Sequence, residues 1–370
     1  MANSNGRLLS LDALRGFDMM FIMGLSAVIA EACGIFPGGK DCWLAQQMNH
    51  VNWIGLHHHD TIFALFLFIS GMTFPFSLEK KRSKGLSDKS ITLDVIRRGL
   101  TLFFLGLVYE GFFQFHFESL RIPSVLGRIG LAWMLAAILY CHTGKKAQWG
   151  VAAGILLIGY FLLLKLVVAP DAPAGADSLS KEGNIAFYID RLLLPDNIYK
   201  PGVYDPEGIL STIPAVVTAM LGMFTGRYVK ESPATGERKT LNMLAAAIVM
   251  AIVAVVWAHW FPVIKKLWTS TFVLACGAWS IGLFAVFYYL IDVKGWRKGT
   301  VFFQVVGMNS ITIYMAQRII GFWPVTGFFF KGLSGIVPES CSGLVMNIGY
   351  FTVCWLFLYF LYRKKCFLKV

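Results

Sequence analysis

The sequence is poor in charged residues, which make up 15% of its 370 positions, whereas hydrophobic residues make up 56%. Soluble domains are nearer one quarter charged and half apolar. The composition therefore excludes an ordinary soluble globular protein and indicates a polytopic membrane protein, with a mean hydropathy of +0.63. The net charge of +12 comes from short basic clusters between apolar runs. This pattern favours a role in membrane topology over nucleic-acid binding.

Two kinds of motif are also missing. No glycine-rich phosphate loop is present, which excludes the standard nucleotide-binding sites. The seven cysteines are scattered without the spacing of a metal site. Cys33 and Cys42 lie close together in a predicted outward loop, where a disulfide and two unpaired thiols are both open.

The apolar runs predict an all-α fold of about ten transmembrane helices. We place these spans at residues 13–35, 60–79, 97–115, 124–141, 149–168, 209–228, 240–261, 268–290, 300–320 and 342–361. The segment 1–35 has features of a secretory signal, but it contains Asp12 and Asp18, so we interpret it as an uncleaved first span. The whole chain, 1–370, is predicted to form a single transmembrane domain.

Basic residues set the predicted orientation, because cytoplasmic loops are enriched in lysine and arginine. With the N-terminus inside, the cytoplasmic loops carry the dense clusters Lys80, Lys81, Arg82, Lys84, Lys89, then Lys145, Lys146, then Lys230, Arg238, Lys239, then Lys294, Arg297, Lys298, and finally Arg363, Lys364, Lys365. The outer loops carry sparser cations: Lys40, Lys181, Arg191, Lys200, Lys265, Lys266 and Lys331. Both termini are therefore predicted to be cytoplasmic. The longest outer loop covers about 169–208, and loops of that length are often functional.

The segment 46–81 contains the main candidate for chemistry. His50 and a histidine triple at 57–59 precede Asp60, which opens an apolar run of helix length. The predicted orientation puts these groups at the outer face, where an imidazole can accept a proton. Consecutive histidines on one helix do not converge on a single ion, so no metal site is predicted.

Other ionisable groups lie at the outer ends of predicted spans. Arg121 and Arg128 bracket RIPSVLGRIG at the entry to the fourth span. They are expected either to bind an anionic substrate or to extend toward the interface. In Asp205-Pro206-Glu207, Asp205 is expected to cap the next helix, to face the substrate, or to do both.

Several segments occur in a fixed order along the chain: LLSLDALRGFD, NHVNWIGLHHHDTIFALFLFISG, RIPSVLGRIG, YIDRLLLPDNIY, YDPEGILSTIPAVVTAMLG, LWTSTFVL, IDVKGW, GMNSITIYMAQ and LYRKKCFLKV. Together they resemble the heparan-alpha-glucosaminide N-acetyltransferases, lysosomal transmembrane enzymes with bacterial relatives, over essentially the whole chain. The resemblance implies an enzyme that takes acetyl-CoA from the cytosol and acetylates a glucosamine amine on the other side. The sequence lacks the extra N-terminal luminal region of the animal enzymes, which suggests a bacterial member in the inner (plasma) membrane.

The family's active-site histidine lies in a His-x-x-Trp motif, which here is His50 with Trp53. The acid ten residues later corresponds to Asp60. Three polar positions of the family pattern differ in this sequence and are expected to alter the acceptor site: Ile54, Ser26 and Gln317.

The predicted function is therefore an acetyl-CoA-dependent N-acetyltransferase for glucosamine or a related amino sugar, and the alternative is an amino-sugar transporter. His50 and Asp60 are the predicted catalytic residues. The predicted substrate-binding residues are Trp53, Arg121, Arg128, Asp205, Glu207 and Asn309. The predicted partners are acetyl-CoA as cosubstrate, an amino sugar or glycan end, the lipid bilayer and a second copy in a homodimer, without metal or nucleic acid. The residues that bind CoA are not identified, and direct transfer and an acetyl-histidine intermediate are both open.

Overall fold

The computed structural model describes residues 8–143 and 146–368, with the backbone alone for 146 and 147. Lys145 and the side chain of Lys146, both from a predicted cytoplasmic cluster, lie outside the described residues. Both ends of the predicted 1–370 domain lie outside them as well. The regular elements of the described chain are helices, with two isolated β-bridges, which confirms the predicted all-α class.

The described residues form fifteen α-helices, numbered here in chain order. Their bounds are α1 Leu9–Met20, α2 Ser26–Gly34, α3 Trp43–Gln47, α4 His58–Ser83, α5 Asp88–Glu110, α6 Val125–His142, α7 Lys146–Leu166, α8 Ile185–Leu193, α9 Thr212–Glu231, α10 Gly236–Ala258, α11 Ser270–Phe287, α12 Thr300–Gly307, α13 Ser310–Ile319, α14 Trp323–Ile336 and α15 Glu339–Arg363. Two π-helical turns, Phe21–Leu25 and Tyr288–Val293, continue α1 and α11.

Seven helical segments of the described chain are long and apolar enough to cross a membrane: Leu9–Gly34, His58–Ser83, Val125–His142, Gln148–Leu166, Gly236–Ala258, Ser270–Val293 and Glu339–Arg363. An eighth results if α13 and α14, which are bent by 81°, count as one broken span. Helices α5 and α9 have 23 and 20 residues, enough to cross, but are less apolar. The structure thus supports a polytopic membrane protein, while the count of ten and the cytoplasmic termini stay predictions.

The predicted single span at 300–320 is wrong, because the chain leaves the helical conformation between α12 and α13. Asn309 has φ −123° and ψ 26°, and a new helix begins at Ser310. A β-carbon on Gly307 would lie 2.1 Å from the carbonyl oxygen of Asp12, so α12 ends where its backbone meets α1. Helix α14, which follows, was missed because Pro324 and three glycines interrupt its apolar run.

Helix α4 has the largest buried share of the seven segments, 72% of its most apolar stretch, and so lies at the centre of the bundle. It packs along α9 with glycines at the contact. A β-carbon on Gly71 would lie 2.1 Å from the carbonyl oxygen of Ala219, and one on Gly222 would lie 2.0 Å from that of Phe68. Small residues that let two backbones approach stabilise helix pairs in membranes. This contact fixes α4, whose first turn carries Asp60.

The predicted outer loop at 169–208 is folded. It includes α8 and packs on an apolar cluster that contains Phe187, Tyr204, Phe261 and Leu267. The loop is thereby attached to the end of the bundle at which α4 begins.

The predicted capping role of Asp205 is wrong. Helix α9 begins at Thr212 with Ser211 as its N-cap. Asp205 instead accepts a hydrogen bond from the backbone N–H of Glu207 at 2.8 Å, which closes a local turn before the helix. Cys33 and Cys42 are unpaired thiols in the structure.

Candidate active site

His50 and Asp60 meet at the N-terminus of α4. The Asp60 oxygen Oδ1 lies 2.7 Å from His50 Nδ1. Its other oxygen, Oδ2, accepts from the backbone N–H groups of His57 at 3.1 Å and Val51 at 3.2 Å. Backbone N–H groups at a helix start lack helical partners and favour negative charge. The carboxylate therefore caps the first turn of α4, and its two oxygens hold the preceding loop and His50 respectively.

This contact determines which nitrogen of His50 is free. A carboxylate has no proton to donate, so the 2.7 Å contact requires the proton to be on Nδ1. The Nε2 atom then carries a lone pair, and it has no hydrogen-bond partner among the described residues. The side chain of His50 is 53% exposed, whereas that of Asp60 is 1% exposed. His50 is thus an oriented imidazole with an accessible acceptor nitrogen, suited to act as a base or a nucleophile.

Lys265 completes the cluster and was not predicted. Its Nζ lies 3.1 Å from His50 Nδ1 and 3.4 Å from Asp60 Oδ1. Burial lowers the pKa of Lys265, while the charges of Asp60 and Glu207 oppose that change. The ammonium thus lies within reach of both the imidazole and the carboxylate of the pair. The sequence offered no local signal, because the two residues are 215 positions apart.

The remaining histidines point in different directions. The ring of His59 lies 4.5 Å from that of His50, and its Nδ1 is 3.0 Å from Ser26 Oγ. Ser26, one of the three positions that differ from the family pattern, therefore borders the site. His57 binds the carbonyl oxygen of Asn49 at 2.9 Å. No group of three potential metal ligands occurs in the described part of the chain.

Trp53 lies on the outer side of this cluster. Its Nε1 donates to the carbonyl oxygen of Leu179 in the outer loop at 3.2 Å, and its ring packs 6.1 Å from that of Phe187. Ile54 is 62% exposed. The other departure from the family pattern, Gln317, donates to the hydroxyl of Tyr350 at 3.1 Å.

Arg121 forms a second charged cluster with three carboxylates. Its Nε and Nη2 bind both oxygens of Asp205, at 2.9 and 2.7 Å, and Nη1 lies 3.2 Å from Glu110. Nη2 also binds Glu207. Although burial opposes it, this set of partners raises the pKa of Arg121. Asp205 is fully buried, so these contacts hold the 169–208 loop onto α5. The charge of Arg121 is already paired with carboxylates and is not available to bind an anionic substrate.

The side chain of Arg128 is 2% exposed. It therefore does not extend toward the membrane interface, which was one of the two roles expected from the sequence. Its Nη2 donates to the carbonyl oxygen of Gly208 and to Ser211 Oγ, and its guanidinium lies 5.1 Å from the ring centre of Trp268. Nε and Nη1 are buried without a partner among the described residues. Arg128 thus supports the turn that leads into α9.

Asp190, on α8, is the buried acid that the sequence did not single out. Its Oδ1 accepts from the backbone N–H of Ile209 at 2.8 Å. A β-carbon on Gly208 would lie 1.8 Å from Oδ2, so the carboxyl packs directly on that backbone. Burial raises the pKa of Asp190 to about 7.

The predicted site residues therefore form two groups. His50, Asp60 and Trp53 lie together, and Arg121, Asp205, Glu207 and Arg128 form the neighbouring charged cluster. Glu207 links the groups electrostatically, since its charge acts on Lys265. Asn309 has no hydrogen bond to either group: it is 2% exposed at the break between α12 and α13, and neither polar atom of its side chain has a partner in the described residues.

No family model matches the chain. Curated proteins do: the chain is 27% identical to human (Homo sapiens) heparan-alpha-glucosaminide N-acetyltransferase over 415 residues, which cover 98% of the chain and 60% of the human protein. It is 27% identical to the mouse (Mus musculus) protein of the same name over 419 residues, which cover 100% of the chain and 61% of that protein. The chain thus spans about three fifths of the length of these relatives. It is a distant relative of the heparan-alpha-glucosaminide N-acetyltransferases.

Proposed function

We propose that this protein is a membrane acetyltransferase that moves an acetyl group from cytosolic acetyl-CoA to the amine of glucosamine or a related amino sugar on the outer side. The observation that carries the proposal is the Asp60–His50 pair, which leaves Nε2 of His50 free at the N-terminus of the central apolar helix α4. The relationship to enzymes named N-acetyltransferases supports the reaction class.

Two routes use this geometry. In direct transfer, the amine attacks the thioester carbonyl, and His50 Nε2 takes the amine proton and passes it to the departing thiolate. In the covalent route, Nε2 attacks the thioester carbon, the thiolate leaves, and the amine then displaces the acetyl group from the imidazole. In both routes Asp60 fixes the tautomer and stabilises the positive charge that develops on His50.

The test measures CoA release from acetyl-CoA and acetylation of glucosamine by purified protein in proteoliposomes. The wild type should release CoA in repeated turnovers only when the amine is present. Without the amine it should release none in direct transfer and one equivalent in the covalent route. His50→Ala should lower the rate by about a hundredfold or more, the scale expected for loss of a general base. It should scarcely change the melting temperature, because the side chain is half exposed.

The matched control is His259→Ala, an exposed histidine whose ring nitrogen lies within hydrogen-bond distance of carbonyl oxygens at its own helix end. It should retain full activity. Full acetyl transfer by His50→Ala would remove His50 from the mechanism. An acetyl adduct on His50 after incubation with acetyl-CoA alone, detected by mass spectrometry, would select the covalent route.

The second candidate is an amino-sugar transporter. The break between α12 and α13, with the buried and unpartnered Asn309, is the observation that favours it. Discontinuous helices with polar groups at the break bind substrates in transporters. Uptake of glucosamine into proteoliposomes without release of CoA would favour this candidate over the enzyme.

The setting follows from the same proposal. We place the protein in a bacterial inner membrane with its termini in the cytoplasm, where acetyl-CoA is made. A homodimer is part of the proposal, and α14, where Phe328 and Ile336 are each 83% exposed, offers an apolar face for a second copy or for lipid.

A further inference from the structure

Three lysines surround two aromatic rings next to His50, and we refer to this set as the outer lysine cluster: Lys181, Lys200, Lys266, Trp53 and Tyr204. Lys181 Nζ lies 5.4 Å from the ring centre of Trp53 and 5.8 Å from that of Tyr204. Lys266 Nζ lies 5.9 and 5.4 Å from the same two rings. Lys200 Nζ lies 5.7 Å from Tyr204. The ammonium groups thus converge on one aromatic surface.

The rings are held in place by the fold of the outer loop. Trp53 Nε1 is bonded to the carbonyl oxygen of Leu179. Tyr204 is 4% exposed, packs 5.3 Å from the ring of Phe187, and pairs through its backbone with Lys200 in both directions, at 3.1 and 3.2 Å. The surface therefore exists before any ligand binds, which reduces the entropy cost of binding.

The positive charge of the cluster is uncompensated. Within the described residues, none of the three lysines forms an ion pair, whereas Arg121 and Arg191 of the same region are each bound to carboxylates. Burial lowers the pKa of Lys266, and the ammonium of Lys200 lowers it further. Like charges held together raise the free energy of the unoccupied protein, and an anion placed among them removes that cost.

The cluster adjoins the proposed catalytic residues. Lys266 Nζ donates to the carbonyl oxygen of Asn52 at 2.8 Å, in the loop that carries His50. The next residue, Lys265, contacts His50 itself. Trp53 follows His50 by three positions. A group bound on the rings is thus attached to the same loop as the reacting nitrogen.

We propose that the outer lysine cluster is a subsite for an oxyanion group, phosphate or sulfate, carried by the sugar substrate. The half-buried ring of Trp53 contacts the sugar ring, and the three ammonium groups, held beside the buried Tyr204, bind the oxyanion as point charges. This inference rests on the proposed function and narrows it: the preferred acceptor is a negatively charged amino sugar, and a neutral one binds more weakly.

Binding is tested without the donor, by thermal stabilisation of the detergent-solubilised protein. Glucosamine 6-phosphate should raise the melting temperature more than glucosamine at equal concentration, because a ligand of the folded state stabilises it by mass action. The difference should shrink as salt rises. Lys181→Gln and Lys200→Gln should each weaken the binding of glucosamine 6-phosphate by about threefold to tenfold. The double variant, which retains Lys266, should lose most of the preference for glucosamine 6-phosphate over glucosamine.

The matched control is Lys40→Gln, an exposed lysine of another predicted outer loop that does not belong to the cluster, and this variant should bind as the wild type does. Equal stabilisation by glucosamine 6-phosphate in the wild type and the double variant would overturn the subsite. Lys181 and Lys200 make no side-chain hydrogen bonds in the described structure, so these variants should fold.

Kinetics separate the acceptor from CoA, which also carries phosphates. In the double variant the KM for glucosamine 6-phosphate should rise, while the KM values for glucosamine and acetyl-CoA should not. A raised KM for acetyl-CoA alone would overturn the assignment to the acceptor. If the wild type acetylates no amine, yet the charge-dependent stabilisation is present and is lost in the double variant, the subsite holds and the proposed activity fails.

Discussion

Asp190 is a residue whose charge should limit the stability of the outer region. Burial raises its pKa to about 7 from 3.8, so in this interval the folded protein holds a proton that the unfolded chain has lost. The free energy of unfolding therefore falls by at most about 4 kcal/mol as pH rises from about 4 to about 7, and it stays level at higher pH.

Asp190→Asn should remove this dependence, since the amide oxygen still accepts from Ile209 and no charge is buried. Melting temperatures of the two proteins between pH 5 and pH 8 should converge at the acidic end and separate in favour of the variant at pH 8. The control is Asp171→Asn, an exposed partner of Arg191, which should leave the slope in place. A variant at Asp190 with the wild-type slope would contradict the assignment.

Single residues also show what the sequence could and could not predict in the site. His50 and Asp60 are ten positions apart, so the local motif and the helix start bring them together without long-range information. Lys265 and the outer lysine cluster depend on packing between distant segments, and in the sequence they are ordinary outer-loop cations. Asp205 was misread because Asp-Pro-Glu fits a helix start, whereas ion pairing with Arg121 decides its conformation.

At the scale of elements, the contact between α4 and α9 should be intolerant of added volume. Gly222→Ala would place a methyl group 2.0 Å from the carbonyl oxygen of Phe68, so the helices must separate, at a cost of about 1–3 kcal/mol. The melting temperature should drop, and acetyl transfer should drop with it because α4 carries Asp60.

The control is Gly154→Ala on α7, where no atom lies within 4 Å of the added carbon. Alanine is the better helix former, so this variant should be as stable as the wild type or slightly more stable. An equal drop in melting temperature in Gly222→Ala and Gly154→Ala would show that the close contact between α4 and α9 does not cause the destabilisation.

Hydropathy predicted the long helices because the bilayer selects for length and apolarity. It failed where the chain bends within an apolar stretch. At 300–320 the run of apolar residues continues through the break at Asn309, and in α14 glycines divide a helix that the fold nevertheless forms. In both places the conformation depends on neighbouring helices, which a window along one chain does not contain.

At the scale of the whole molecule, the orientation in the membrane is the prediction with the widest consequences. In a cysteine-free background, Lys84→Cys, between α4 and α5, should react with an impermeant maleimide only after the cells are opened. Ala174→Cys, an exposed position in the outer loop, should react in intact cells. The reverse pattern would place His50 on the cytoplasmic side and invert the proposed direction of transfer.

The position of Asp60 connects entry to the site with its reactivity. The carboxylate that aligns His50 also accepts from the backbone N–H groups of Val51 and His57, so one side chain both closes the loop between these two residues and orients the imidazole. A ligand that displaced this loop would therefore also disturb the contact between Asp60 and His50. The conformation of the segment 51–57 and the tautomer of His50 are thus coupled through a single carboxylate.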